Sequence, residues 1–587
     1  MGNLQYQQAS ERDCANAAID ENYQNYLIDY LLDGGSFLEN YPDLCLDPVG
    51  YNQAIAYMYQ PGDFTGERED IDYNKVPRVY GLMDSRELEA AGVTRVRLSP
   101  QLGLRGQGTL VGIIDTGVDL TSSFFRYEDG GTKIAAYWDQ EDQEGKKPAG
   151  YSFGREWDRE EIDRALEEEP RILPRDENGH GTFLAAVAAG REDEEAGFSG
   201  AGPGSELVVV KLKRPKQYLL DFYSIRDDVW ACQEDDVMLA IRYVLDTATA
   251  LQRPVSICLG IGTNLGGHGG NGSLERYISQ ISLLPGISVH IASGNEGISG
   301  HHFRGNVPQD QESETVEFNV ADGENGFIME LWGDAPVNFS VGLISPGGEN
   351  VERIQLKRNE FRNIRFFPEN TVLQIRSFAG ETVGGEQVIR MNFRSPSAGL
   401  WRLQVYARGT GNRTFNLWMP ITNFLREETF FVSPEASDTL TSPGDAFYGI
   451  TYVPYEVNTE SLYVRASQGY TRDGRVKPDL AAPGVNVHIP APTAVRRPEQ
   501  DGAQESGGSR REVSRSGSSV AAAFGAGIGA LMQEWAIVKE NDLSLNGQNM
   551  RFYLIQGAVR SGAYEYPNRE WGYGIVNLYD AFLSMRR

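Results

Sequence analysis

TLVGIIDTGVD, residues Thr109–Asp119, reads as a run of strand-forming residues, Thr109 to Ile114, ending on an acid, Asp115, and a glycine turn. So apolar a run is buried on both faces, and an acid at its carboxyl end sits where open α/β sheets place their chemistry. Two further stretches belong with it. ENGHGTFLAAVAAG (Glu177–Gly190) sets His180 between two glycines and leads into the small-residue run Thr182–Ala189, the pattern of a buried helix. SRSGSSVAAAFGAG (Ser514–Gly527) sets Ser519 at the head of a second such run, so its amide lies at the positive end of that helix. An acid, a base and a hydroxyl nucleophile thus follow one another, each at the end of an element. Singly, each signal is weak, because glycine turns bearing an acid or a hydroxyl are common; the conjunction carries the reading.

Working outward, strand-like and helical runs alternate: Leu110–Ile114, the helix after His180, Leu207–Leu212, a helix near Asp235–Ala250, Val255–Leu259, a helix near Ser273–Leu284 and Ile287–Ala292. This alternation predicts βαβ units and a parallel sheet with helices on both faces. From 312 to 425 the texture changes to short β-like runs (VEFNV, FIMELW, FSVGLI, IRMNF, WRLQVYA, FNLWM) broken by turns such as Ser345–Gly348, which predicts an all-β sandwich inserted in the α/β core.

With these residues in view the chain resembles the subtilase family of subtilisin-like serine proteases, whose triads run Asp, His, Ser. Four more segments carry the likeness: SICLG (Ser256–Gly260), SGNEG (Ser293–Gly297), DGRVKPDLAAPG (Asp473–Gly484) and WGYGIVNLYDAF (Trp571–Phe582). The resemblance spans roughly 105–311 and 435–587. It implies a catalytic triad of Asp115, His180 and Ser519, and an oxyanion hole formed by Asn295 and the Ser519 amide. It implies substrate-binding roles for Ser256, Cys258, Leu259 and Gly260 as a strand edge, and for Ser293 and Gly294 beside it. Glu296 either borders the specificity pocket, favouring basic or polar side chains, or faces solvent. Two positions depart from the family pattern: Ser518 stands where Thr is usual, keeping the hydroxyl, and Ala523 where Pro is more common.

The insertion, together with YGLMD, GLRGQGTLVGIIDTGVD, YWDQ and PGVNV, makes the chain similar to the Csp-type germination proteases of spore-forming bacteria. The expected fold is therefore α/β: a subtilisin-like, doubly wound, mostly parallel sheet with an inserted jelly-roll-like domain. The expected domains are an amino-terminal extension or prosegment (1–84), a first subtilase core segment (85–311), the insertion (312–425) and a second core segment (426–587). The resemblance implies an endopeptidase performing limited cleavage of a protein or peptide substrate, such as a germination zymogen. The amino-terminal segment would be its inhibitor, with autocleavage between Tyr80 and Pro100. Two alternatives stay open: a catalytically silent Csp-like scaffold, and a general intracellular or digestive subtilase unrelated to spores.

Composition bounds the rest. The 587 residues carry 54 basic and 82 acidic side chains, a net charge of −28, which repels phosphate backbones and argues against nucleic acid as a partner. The start, MGNLQYQQASERDCANAAID, has neither the basic opening nor the apolar run of a secretory signal, so a cytoplasmic or spore-associated location is expected. No stretch approaches eighteen consecutive apolar residues, so no membrane span is expected. Cys14, Cys45, Cys232 and Cys258 show no dense pairing pattern. The acidic run Arg191–Glu195 falls where related enzymes carry a calcium loop but lacks calcium's ligand spacing, and His268, His290, His301, His302 and His488 form no metal pattern. No cofactor is expected, with calcium at the acidic run kept as the alternative.

Overall fold

The computed structural model describes residues 23–29, 45–48, 53–59, 91–99, 101–151, 153–215, 217–355, 361–379, 386–490 and 512–585. The chain divides into two compact units, Met1–Met83 and Asp84–Arg587. In the first, β1 (Tyr23–Asp29), β2 (Cys45–Pro48) and β3 (Gln53–Tyr59) form an antiparallel sheet in the order β1-β3-β2. The Tyr80–Pro100 window, apart from Ala91–Ser99, lies outside the described residues, as do residues 491–511.

The second unit is built on β4 (Leu110–Asp115), β5 (Ile134–Asp139), β6 (Arg155–Asp158), β7 (Glu206–Lys211), β8 (Val255–Leu259) and β9 (Ile287–Ala292). Pairing runs β9-β8-β4-β7-β5, parallel throughout, with β6 added antiparallel at one edge. All six residues of β4 are buried because its period of two feeds two cores at once. Val111 and Ile113 pack on one side with α1 (His180–Ala189); Leu110 and Ile114 pack on the other with α2 (Glu234–Ala250) and α3 (Ser273–Ile281). The expected α/β class is what forms.

The helix that begins at Ser518, α4 (Ser518–Gln533), lies on the α1 side with every residue buried. Its small residues allow a close crossing: a Cβ at Gly527 would sit 2.5 Å from the Ala188 carbonyl oxygen of α1. Continued to Val538, α4 is the one helix among the described residues long and apolar enough to cross a membrane, but 89% of its most apolar window is buried inside the protein, so it is a core helix.

Between β9 and the later core strands lie β10 (His302–Asn306), β11 (Ser313–Val320), β12 (Gly326–Gly333), β13 (Asn338–Ile344), β14 (Asn350–Ile354), β15 (Phe361–Phe366), β16 (Thr371–Ala379), β17 (Gln387–Arg394), β18 (Gly399–Arg408), β19 (Thr414–Trp418) and β20 (Phe430–Phe431). They form two antiparallel sheets, β10-β19-β12-β17-β16-β15 and β14-β13-β18-β11-β20, around one shared core. Along β18, Trp401, Leu403, Val405 and Ala407 point inward, while Leu400, Arg402 and Arg408 are exposed. The sandwich thus reaches beyond 312–425 at both ends, because its outer strands are the segments that join it to the core. After it, β21 (Ile450–Glu456) pairs with β9 and β23 (Leu480–Pro483) with β21, both parallel; β22 (Ser461–Leu462) pairs antiparallel with β21. A hairpin of β24 (Val487–Pro490) and β25 (Glu512–Arg515) precedes α4.

Trp401 is fully buried between Phe366 and Phe393, with ring centroids 5.1 and 5.8 Å away. Trp401→Ala is expected to destabilise the sandwich by about 3–5 kcal/mol through lost burial and a residual cavity. A lowered thermal midpoint, with loss of near-ultraviolet signal, is the measurement.

Candidate active site

β4 delivers Asp115 at its carboxyl end, α1 delivers His180 as its first residue, and α4 delivers Ser519 in its first turn. Asp115 Oδ1 lies 2.8 Å from His180 Nδ1, and His180 Nε2 lies 3.0 Å from Ser519 Oγ. The three candidates, separated in turn by 65 and 339 residues, are thus joined in one hydrogen-bonded row.

The electrostatics suit a base. Burial alone would raise the Asp115 pKa, but the His180 charge, its hydrogen bond and the Thr116 N–H (2.8 Å) hold it below the ordinary carboxylate value. Burial pulls His180 down, and the Asp115 charge and hydrogen bond outweigh it, leaving the imidazole above its ordinary value. An imidazole so placed can take a proton from the serine hydroxyl.

Asn295, half-buried after β9, accepts through Oδ1 from the Ser518 N–H at 3.0 Å, which leaves its Nδ2 free to donate toward the site. A Cβ at Gly517 would lie 3.3 Å from that Nδ2 and 3.7 Å from Ser519 Oγ. Glycine there keeps open the space in front of both donor and nucleophile. The Ser519 N–H has no intrahelical acceptor in this first turn and faces the same region.

Of the residues read as substrate-binding, one stands at the reacting centre. A Cβ at Gly260 would meet Ser519 Cβ at 3.1 Å and His180 Cε1 at 3.2 Å. The others need correction. β8 is not a free edge, since Ser256–Leu259 pair with β4 on one side and β9 on the other. Ser256 donates to the Ala526 carbonyl beneath α4, and Cys258 and Leu259 are buried in the two opposite cores. Ser293 is fully buried, its backbone N–H donating to the Tyr452 carbonyl; the Gly294 N–H donates to Ser518 Oγ at 3.1 Å. Both brace the segment that carries Asn295.

Glu296 neither borders a pocket nor faces solvent. It is 6% exposed, with Oε2 2.7 Å from His301 Nδ1 and Oε1 accepting from the Thr422 N–H and hydroxyl at 3.0 and 2.9 Å. It ties the Asn295 segment to the returning end of the sandwich. His268 and His302, which flank this segment in sequence, each stack against Trp418, at 4.0 and 4.8 Å. Burial pushes both imidazoles down to about 4. Among the described residues no group of three or more His, Cys, Asp or Glu is gathered to hold a metal, and Glu192 of the acidic run is engaged by Arg97 and Arg105.

Sequence reading missed Asp176. Its carboxylate accepts from the Gly179 N–H (2.8 Å), the Thr182 N–H (2.8 Å) and hydroxyl (2.7 Å), and the Thr116 hydroxyl (2.8 Å). It caps α1, whose N-cap residue Gly179 has no side chain to do so, and fastens that helix to the turn after Asp115. Thr116 completes the link, accepting from the Gly181 N–H at 3.0 Å. Gly181 is obligatory here, because a Cβ would stand 2.1 Å from the Gly117 carbonyl oxygen. At the other end of α1, Lys133 Nζ donates to the carbonyls of Ala189 and Pro203 at 2.6 and 2.7 Å.

Fold and site define an α/β serine-type peptidase. The subtilase family profile matches residues 106–321 and 372–574, and the chain belongs to that family. The Clostridium perfringens CspB protease structure is 28% identical, covering 85% of this chain and 98% of its own, with a TM-score of 0.73. MycP1 from Mycobacterium smegmatis (14% identical; 86% of each chain; TM-score 0.37) and the patellamide maturation protease PatG (12%; 86% and 98%; 0.39) overlap too loosely to bear on detail. No curated protein sequence matches.

Asp176→Asn keeps the side-chain shape but removes a charge that favours the protonated His180. The imidazole pKa should fall, so the acid limb of the kcat/KM profile should move to lower pH, while kcat drops on the order of tenfold from loosened positioning. A pH–rate series on the variant reads both.

Proposed function

We propose that this subtilase is an active endopeptidase in which Ser519 attacks the scissile carbonyl. His180 takes the hydroxyl proton and returns it to the leaving amine, and Asp115 orients the imidazole and stabilises its charged form. The Asn295 side chain and the Ser519 N–H donate to the oxyanion of the tetrahedral intermediate. The observation that carries the reading is the unbroken row from Asp115 through His180 to Ser519, at 2.8 and 3.0 Å. No step needs a cofactor. The same row weighs against the silent-scaffold alternative, for which these contacts have no use.

The two-sheet insertion is read as the jelly-roll-like domain of the Csp type, and the substrate as a protein cut at a limited number of sites, such as a germination zymogen. Likeness to the CspB protease supports this, and with it a cytoplasmic or spore-associated setting. The amino-terminal unit is read as an inhibitory prosegment. Full burial of Ala91, Val93 and Val96 in the same core as α1 and α4 favours any cut falling before Ala91 rather than within Ala91–Leu98.

Ser519→Ala should abolish peptide cleavage, labelling by a fluorophosphonate probe, and the appearance of a shortened chain on a gel. Persisting hydrolysis in that variant would remove the proposed nucleophile. Asn295→Ala should lower kcat by about 10²–10³, the loss known for the equivalent donor in subtilisin, with KM little changed. Steady-state kinetics on both variants decides.

A further inference from the structure

Arg515 ends β25, four residues before the nucleophile, in a chain whose acids outnumber its bases. Most buried or half-buried arginines here meet a carboxylate, as Arg253 meets Glu206, Arg390 meets Glu330 and Arg551 meets Asp479. Among the described residues Arg515 has none. Its Nη2 donates to the Asn178 carbonyl, two residues before His180, at 3.0 Å, and its guanidinium lies 5.9 Å from the Phe183 ring, one turn beyond His180. Its Nε is buried without a hydrogen-bond partner. An unneutralised, partly desolvated cation is thus held against the start of the His180 helix by a single carbonyl.

Arg515 lies close to the base: the Asn178 carbonyl that holds its guanidinium is two residues from His180. In the reading above His180 hands its proton to the leaving amine, so the substrate residues after the scissile bond depart past the imidazole.

We infer that Arg515 is a specificity-determining residue that selects an acidic side chain at the first or second position after the scissile bond. A carboxylate there would supply the partner the guanidinium lacks, in the two-pronged geometry that arginine favours. The inference rests on the endopeptidase reading above.

The test is a mass-spectrometric cleavage-site profile on a proteome-derived peptide library, using the full-length chain. The wild type should enrich Asp and Glu just after the cut by about fivefold, as suits a half-exposed ion pair. Arg515→Lys should keep part of the enrichment, Arg515→Gln should erase it, and Arg515→Glu should replace it with Lys and Arg. A wild-type profile flat at both positions, or an enrichment unchanged in Arg515→Gln and Arg515→Glu, overturns the inference alone. A wild type that cuts no peptide and leaves the fluorophosphonate probe unreacted overturns the peptidase reading, and this one with it.

Discussion

The contact between α1 and α4 is the constraint on which the site depends. His180 heads one helix and Ser519 the other, so the distance between imidazole and hydroxyl is set by how closely two backbones approach. Gly527, where a Cβ would sit 2.5 Å from the Ala188 carbonyl oxygen, lets them approach to van der Waals contact in a core that the alanines of both helices share. Interiors pack at crystal-like density, so one methyl at this crossing displaces a helix rather than a side chain. Polar pins then fix the axial position. Asp176 and Lys133 hold the two ends of α1, and Asn295 holds the first N–H of α4. The packing sets the separation and the pins set the register.

The sandwich takes part in this arrangement through buried polar links. Glu296 follows Asn295 directly, and its carboxylate is spent on His301 and Thr422 at the two roots of the insertion. On the opposite rim, Glu330 of β12 accepts from the Gly266 N–H, and Arg472 reaches the Gly267 carbonyl, Asp334 and Glu386. Both rims of the segment bearing Gly260 and Asn295 are therefore held by residues of the insertion. A buried carboxylate whose partner is removed costs several kcal/mol, so these links cannot be broken singly without loosening the rim.

What the sequence revealed and what it hid follow from the range of the interactions concerned. Asp115, His180 and Ser519 were legible as candidates because each lies at the end of a recognisable element, a condition written in its immediate neighbours, whereas Asn295 came from the family resemblance. The alternation of strands and helices was legible for the same reason. The burial of Ser256, Cys258 and Leu259 was not, because whether β8 is an edge depends on β9 and β4 closing on both sides of it, a property of topology. Asp176 carried no signal of its own; its role appears only when the turn after β4 folds back upon it. Glu296 misled because its partner Thr422 arrives 126 residues later, beyond β19. The sandwich's limits were drawn too narrowly where its outer strands give little signal, β10 being short and largely polar and β20 only two residues long.

Environment also explains why one histidine can serve as the base while others in the same protein cannot. His268, His290 and His302 are as deeply buried as any residue here, and without an adjacent carboxylate burial drives them down to about 4, 3 and 4. They are neutral across the physiological range and pack as flat aromatic rings, two against Trp418 and one against Tyr452. His180, a quarter exposed, is also pulled down by burial and is displaced the other way, because Asp115 stands 2.8 Å from Nδ1, its carboxyl held low by the imidazole itself with help from the Thr116 amide. The carboxylate thus fixes the imidazole's orientation and its proton affinity at once. Thr116 and Asp176 hold the carboxylate and the helix together, so in the proposed mechanism they position the proton transfer without meeting the reacting atoms.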